Sequence, residues 1–329
     1  MNRPALIDRR PSPRNLWVAD LEPRTESVLQ EVTEGLSRPR KQLPPKFFYD
    51  QRGAELFTAI CDTQAYYPTR TENGILDWRA TEIARAIGPQ SAVIEFGAGE
   101  IQKIRRLLPA LRPSTYAALD ISRDQLLDAA TSLALDYPWL SVIAVIGDYQ
   151  TELESELNLP ACARRVVFFP GSTIGNFEPE DARAFLARAR TLVGDEGGVL
   201  IGVDLCKPVW RLDLAYNDPE GYTAAFNLNL LARLNRELGA DFDLSGFAHE
   251  AFYNLGKSRV EMHLRSVRSQ RVRIGAREFA FAAGESIHTE NSYKYTPEKF
   301  ALMARAAGFQ ASRLWSDPEH LFGVFFLHN

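Results

Sequence analysis

AVIEFGAGEIQK, residues 92–103, is the stretch that decides the fold. A short apolar run, AVIEF, ends in Gly97-Ala98-Gly99, and a helical pattern over 101–111 follows at once. A strand that feeds a glycine turn at the head of a helix lets backbone come close to a ligand and points amide N–H groups at it. The turn departs from the dinucleotide fingerprint GxGxxG. Gln102 stands where the third glycine belongs and Lys103 follows, whereas a pyrophosphate-binding turn needs that glycine for close helix packing. A nicotinamide-dependent dehydrogenase is therefore disfavoured.

Downstream, apolar runs alternate with amphipathic stretches: YAALD (116–120), a helix over 122–135, SVIAVIGD (141–148), RVVFFP (165–170), a helix over 179–193 and GGVLIGVDL (197–205). Such alternation predicts parallel βαβ units with helices on both faces of a sheet. It stops after Leu205. Residues 207–248 read as helical and Asn-rich, and 251–281 as antiparallel strands, since RVEMHLRSV and QRVRI alternate polar and apolar. A helix over 295–309, with Thr296 as N-cap and Pro297 at its first position, precedes strands at 310–315 and 321–327. The expectation is an α/β, Rossmann-like seven-stranded sheet carrying an inserted α+β lobe. Residues 1–206 plus 294–329 form the sheet body and 207–293 the insert. Upstream, helices are expected over 24–39, 53–64 and 71–87, with the prolines of KQLPPKFFYD breaking the path between the first two.

The chain has 329 residues, 45% of them hydrophobic and 24% charged, enough for a large domain and a second lobe. A net charge of -4 lacks the basic excess of a nucleic-acid binder, and no apolar run reaches the roughly 20 residues a membrane span needs. The opening MNRPALIDRRPSPRN has no apolar signal region and reads as a flexible tail. Cys61, Cys162 and Cys206 are scattered, with no CxxC, which fits free thiols in a reducing cytoplasm. None of His249, His263, His288, His320 and His328 has a partner at metal-ligand spacing, so no metal is expected. His249 and His288 read as structural or surface residues, and His263 faces away from its neighbour Met262. The expected partner is a small molecule, neither nucleic acid nor membrane, bound by a monomer.

Two carboxylates add to the glycine turn. Asp120 ends the second strand, where an acid can hold ribose hydroxyls, and Asp148 ends the third, followed by the ring of Tyr149. An acid with an aromatic suits an adenine amino group and ring face. All three features sit at carboxyl ends of neighbouring strands, the ligand crevice of an open α/β sheet, and together favour an adenosine-bearing cofactor.

Eight ordered motifs carry a resemblance: LPPKFFYD (43–50), YYPTRTE (66–72), IEFGAGEIQK (94–103), PGSTIGN (170–176), VDLCKPVWRLDLAYNDP (203–219), TAAFNLNLLARLNRELGADFD (223–243), VEMHLRS (260–266) and GESIHTENSYKY (284–295). From about Pro44 onward the chain resembles the S-adenosylmethionine-dependent L-histidine Nα-methyltransferases of ergothioneine biosynthesis. The resemblance implies S-adenosyl-L-methionine as cofactor and three methylations of free L-histidine to hercynine. It implies that Tyr49 lies over the methyl donor near the reacting amine. Gly97 and Lys103 become cofactor-loop contacts, and Asp120, Asp148 and Tyr149 ribose and adenine contacts. Tyr66, Asn176 and Tyr216 correspond to residues holding the substrate's α-carboxylate and amine, Glu290 and Ser292 to the pair reading the imidazole, and Met262 to the residue packed beside that ring.

The residue types suit that chemistry. Glu290 and Ser292 are two apart in a β-like stretch and so share a face. A carboxylate can take a ring N–H while a hydroxyl donates to or accepts from the other nitrogen. Asn176 offers donors and an acceptor, for a carboxylate or an amine lone pair. Methyl transfer to nitrogen is an in-line displacement that needs alignment rather than a metal or a covalent intermediate. The competing readings are the same reaction on another amino acid such as tryptophan, and a non-catalytic module that keeps the fold.

Overall fold

The computed structural model describes residues 13–21, 25–147, 159 and 164–329. Asp148, Tyr149 and Cys162 lie outside the described residues. The chain begins with β1 (Leu16–Asp20), α1 (Thr25–Ser37), α2 (Gln51–Asp62) and α3 (Tyr67–Ile87). Then come β2 (Ala92–Phe96), the short α4 (Gln102–Arg105) and α5 (Leu108–Leu111), β3 (Thr115–Asp120), α6 (Arg123–Asp136) and β4 (Ser141–Ile146). The sheet continues with β5 (Arg165–Phe169), α7 (Pro179–Val193) and β6 (Gly198–Asp204). The expected single helix over 101–111 is broken: Pro109 has no N–H for a continuing helix, and Arg106 and Leu107 turn through i−3 bonds instead.

The second half holds α8 (Val209–Tyr216), α9 (Tyr222–Leu238), β7 (Phe247–Asn254), β8 (Arg259–Ser266), β9 (Gln270–Ile274), β10 (Arg277–Phe281) and β11 (Ser286–Tyr293). It closes with α10 (Pro297–Ala306), β12 (Ala311–Ser316) and β13 (Phe322–His328). Thr296 caps α10, its side chain accepting from the Lys299 N–H. The helical reading of 207–248 runs too far. α9 ends at Gly239 in the left-handed conformation, and the strand pattern resumes at Phe247, whose ring packs on Phe281.

The main sheet runs in the order β1-β4-β3-β2-β5-β6-β13-β12. It has eight strands among the described residues, one more than the seven expected. The extra one is β1, LWVAD, which pairs in parallel with β4 just beyond the segment read as a tail. β13 is antiparallel to β6 and β12 antiparallel to β13, while the other pairs are parallel. Chain order reverses between β2 and β5, so the crevice at the switch point opens at the carboxyl ends of those two strands. The strands there are buried on both faces. One apolar core packs α3, α6 and the α4–α5 turn against the sheet, and another packs α7 and α10 against its other face.

A third core belongs to the lobe. β7, β8 and β11 form a three-stranded antiparallel sheet and β9 and β10 a hairpin. Their buried side chains (Met262, Leu264, Phe281, Ile287) mix with Leu212, Phe226 and Leu230 from α8 and α9. The same core includes Val32, Leu36, Phe47, Phe48, Leu56 and Ile60. Packing thus groups the helices before Tyr67 with the insert, whereas the expected division placed all of residues 1–206 with the sheet. The lobe leaves and rejoins the sheet side by side: Leu205 and Tyr295 form a parallel bridge, and the Cys206 N–H donates to the Tyr295 carbonyl at 2.9 Å.

Candidate active site

The glycine turn sits at the switch point. Gly97 and Gly99 adopt φ of +69° and +51°, and Ile101 enters α4 at +55°. A side chain built on Gly99 would meet nothing within 4 Å, so the turn opens on free space. Asp120 faces that turn: its Oδ2 accepts from the Gly99 N–H at 2.9 Å and its Oδ1 from the Ser122 N–H at 2.8 Å. Each oxygen keeps further acceptor capacity for a ligand hydroxyl. A carboxylate at this strand end beside open backbone fits an adenosine-bearing cofactor. Beneath the turn, burial pushes the Glu95 carboxyl up to about 8 even though the Tyr116 hydroxyl donates to it at 2.6 Å.

Lys103 reaches sideways. Its ammonium pairs with Glu72 at 2.5 Å, and both Glu72 oxygens accept from the Gly171 N–H at 2.9 Å. The two loops flanking the crevice are thereby tied through one buried carboxylate. In the second loop, Ser172 Oγ accepts from the Asp204 N–H at 2.8 Å. A side chain on Gly175 would come within 2.9 Å of the Tyr293 carbonyl, so the turn Thr173–Asn176 is pressed against β11. This brings Asn176, half-buried and with no hydrogen-bond partner for its amide among the described residues, to the strand that carries Glu290 and Ser292.

β11 has one irregularity. His288 pairs with His263 and Glu290 with Met262, so Thr289 is an extra residue in a bulge. Its hydroxyl donates to Asn227 at 2.8 Å and its side chain is buried. From Glu290 onward, residues 290, 292 and 294 share the face of Met262, which lies directly opposite Glu290. Glu290 keeps part of its surface accessible although protein surrounds it, as expected for the wall of a recess. Burial pushes its carboxyl up to about 7, against the pull of Lys294.

Next to it lies a network that the sequence reading missed. The Lys294 ammonium, fully buried, donates to Ser292 Oγ at 2.7 Å and to the Tyr216 hydroxyl at 3.0 Å, and pairs with Asp204 Oδ2 at 2.7 Å. The Tyr216 hydroxyl donates to Ser292 Oγ at 2.7 Å. Asp204 also takes Lys207 at 2.5 Å and the Tyr67 hydroxyl at 2.7 Å. Burial works against the Asp204 carboxylate, but Lys294 and Lys207 outweigh it and hold it below the ordinary range. Burial lowers Lys207 to about 8, while Asp204 holds Lys294 above its usual value in spite of burial. Two signals were available: Lys294 continues the 290–292 alternation, and Asp204 is a charge closing the apolar run of β6.

An aromatic wall joins the two regions. The Tyr49 ring meets Phe57 and Phe226 edge-on at 5.7 Å, Phe57 meets Tyr66 at 6.2 Å, and Tyr66 meets Tyr216 at 6.3 Å. Burial raises the Tyr66 and Tyr216 phenols, so both stay protonated. His249 is structural, bonding Asn227 and the Tyr216 carbonyl at 2.9 Å each. Glu261, His263 and His288 gather on the opposite face of the lobe sheet. There Arg259 holds Glu261 at 2.8 Å, the His263 ring is stacked between Phe252 and His288, and one ligand atom from each of Glu261, His263 and His288 lies within 4.8 Å of the others, a grouping that sequence spacing did not reveal.

Comparison with known proteins follows the same lines. A family model described as histidine-specific methyltransferase, SAM-dependent, matches residues 28–329. The histidine N-alpha-methyltransferase of Mycolicibacterium smegmatis is 40% identical over 305 residues, covering 91% of this chain and 94% of that protein. Ergothioneine biosynthesis protein 1 of Neurospora crassa is 30% identical over 312 residues, 87% of this chain and 33% of the longer fungal protein. Among solved structures, the PH0226 protein of Pyrococcus horikoshii OT3 aligns with a TM-score of 0.46 at 12% identity, over 85% of this chain and all of that one.

Proposed function

Because the chain belongs to the histidine-specific, S-adenosylmethionine-dependent methyltransferases, we propose that it methylates the α-amine of free L-histidine repeatedly, giving the trimethylated betaine hercynine in ergothioneine biosynthesis. The observation that carries the substrate assignment is Glu290 beside Ser292 on one face of β11, opposite Met262, with Ser292 bonded to Tyr216, whose ring meets that of Tyr66. A ring with two nitrogens satisfies both polar groups. A hydrocarbon side chain would leave a buried carboxylate unpaired, and sites of this kind reject such analogues strongly.

In this reading Asp120 accepts the ribose hydroxyls, Gly97 and Lys103 line the cofactor turn, and Asp148 and Tyr149 complete the adenine side. S-adenosylmethionine supplies an electrophilic methyl carbon on a charged sulfur. Tyr49 would pack against the methyl donor near the amine, and Asn176, Tyr66 and Tyr216 would hold the α-carboxylate and amine. Pinning the amino acid at both ends aims its nitrogen, and such orientation is able to supply about 7–11 kcal/mol of barrier lowering. The protonated Tyr66 and Tyr216 phenols serve binding and not proton removal. Each round requires a neutral amine, its proton passing to water, with the Tyr49 hydroxyl as a relay. The aromatic wall also favours the growing methylammonium through cation–π attraction. The substrate lobe comprises 207–293 together with α1 and α2. The protein works as a cytoplasmic monomer. Among the described residues no helix is long and apolar enough to cross a membrane.

Mass spectrometry of the full chain incubated with S-adenosylmethionine and histidine tests the reading. Mono-, di- and trimethylhistidine should appear in succession. Methylation of tryptophan or another amino acid in preference to histidine would refute it.

A further inference from the structure

The hydroxyl pair Tyr216–Ser292 has a fixed supply of protons. Ser292 Oγ has two lone pairs and one O–H. One lone pair takes a Lys294 N–H at 2.7 Å and the other takes the Tyr216 O–H at 2.7 Å. All three Lys294 protons are engaged, on Asp204, Tyr216 and Ser292, so the ammonium cannot turn away. The direction of the Tyr216–Ser292 bond follows from chemistry. A phenol is the more acidic donor and an alkyl hydroxyl the better acceptor. The shorter Lys294 contact, to Ser292 instead of Tyr216, agrees with that order. Ser292 therefore has no lone pair left, and its one proton is the only bond it can still offer a ligand.

We propose that Lys294 is a positioning residue for the substrate ring: it saturates Ser292 as an acceptor, so that Ser292 only donates and the site takes a neutral imidazole. The unprotonated ring nitrogen lies on Ser292 and the ring N–H on Glu290. An imidazolium would bring a second N–H against an oxygen that has nothing to accept it with. This inference rests on the histidine reading above and adds the protonation state and tautomer of the ligand. The charged groups around the recess are Glu290, Lys294, Asp204 and Lys207, with the protonated phenols of Tyr66, Tyr67 and Tyr216 between them. With Glu290 ionised, two carboxylates balance two ammonium groups, so the recess has no surplus charge to attract a cationic ring.

The test uses the full-length enzyme saturated with S-adenosylhomocysteine and histidine labelled with nitrogen-15 in the ring. Between pH 6 and 8 the bound ring should give one pyridine-type and one pyrrole-type nitrogen resonance. Affinity should fall at least roughly tenfold per pH unit below the ring's ordinary value of about 6.5. Two imidazolium-type resonances in the bound state overturn the proposal and leave the histidine reading standing. No bound histidine at millimolar ligand overturns both. Lys294→Met frees one lone pair on Ser292. That variant should bind histidine about tenfold more weakly at pH 8, the worth of one lost bond in the network. Its affinity should also fall less steeply below pH 6.5. A purely structural lysine would lower affinity equally at every pH, and that result too overturns the proposal.

Discussion

Glu290→Gln should make the free protein more stable and the ligand weaker, with opposite signs in two assays. The Glu290 carboxyl is pushed from its ordinary 4.5 up to about 7 because burial disfavours the charge. Holding the ionised form in place therefore costs the free enzyme about 3 kcal/mol. The sign follows from the raised value. Relative to the unfolded chain, the folded protein loses stability as pH rises through 7, and below 4.5 the term vanishes. Glutamine has nearly the same shape and no charge, so it removes the penalty. Thermal or urea unfolding of the apo variant at pH 8.5 should show a gain approaching ~3 kcal/mol that shrinks toward pH 5. Histidine binding moves the other way. A charge-assisted bond worth roughly 1.5–3 kcal/mol becomes a neutral one of about 0.5–1.5, so calorimetric titration should find affinity about tenfold weaker. A variant less stable than wild type at pH 8.5, or one that binds histidine equally well, would refute the placement of this carboxylate in a dry substrate recess.

Three further outcomes are expected. Asp204→Asn strands Lys294 and Lys207 in the interior and should cost about 3–5 kcal/mol in urea unfolding, whereas a loss under 1 kcal/mol would mean that water reaches the pair. Gly175→Ala drives a methyl against the Tyr293 carbonyl and shifts the Asn176 turn, so the histidine KM should rise roughly tenfold or more while S-adenosylhomocysteine affinity holds; equal changes in both would place Asn176 on the cofactor side. Asp120→Ala leaves the Gly99 and Ser122 N–H groups without their acceptor and should weaken S-adenosylhomocysteine by roughly 30-fold or more, read by calorimetry, and an unchanged affinity would remove Asp120 from the cofactor site.

The sheet was readable because its strands are uniform apolar runs and its turns are glycines or charges at their ends. Asp120 was legible for that reason, being the acid that closes YAALD. Glu290, Ser292 and Met262 became candidates through long motifs rather than periodicity. Period-two counting from the buried Ile287 turns Glu290 to the wrong face, and only the extra residue at Thr289 brings it back. A bulge leaves no trace in composition. Lys294 and Asp204 escaped notice because each alone resembles an ordinary surface charge, and they are ninety residues apart in the chain. β1 escaped because five residues after a proline-rich opening carry too short a pattern to separate from coil. The shared packing of α1 and α2 with the insert was hidden because both helices are amphipathic, and amphipathicity does not say which partner covers the apolar side.

The bridge between Leu205 and Tyr295 brings the two ends of the lobe together where it leaves the sheet. An attachment of that kind keeps the order of the main strands, the glycine turn and Asp120 outside the lobe, while pairs such as Arg259–Glu178 and Lys294–Asp204 tie the two together. On the proposed reading, amino-acid preference drifts by remodelling the lobe within those ties while methyl-donor recognition stays constant. The brake on such drift is the pair of early helices, whose described apolar side chains share a core with the lobe, so they must change in step with it.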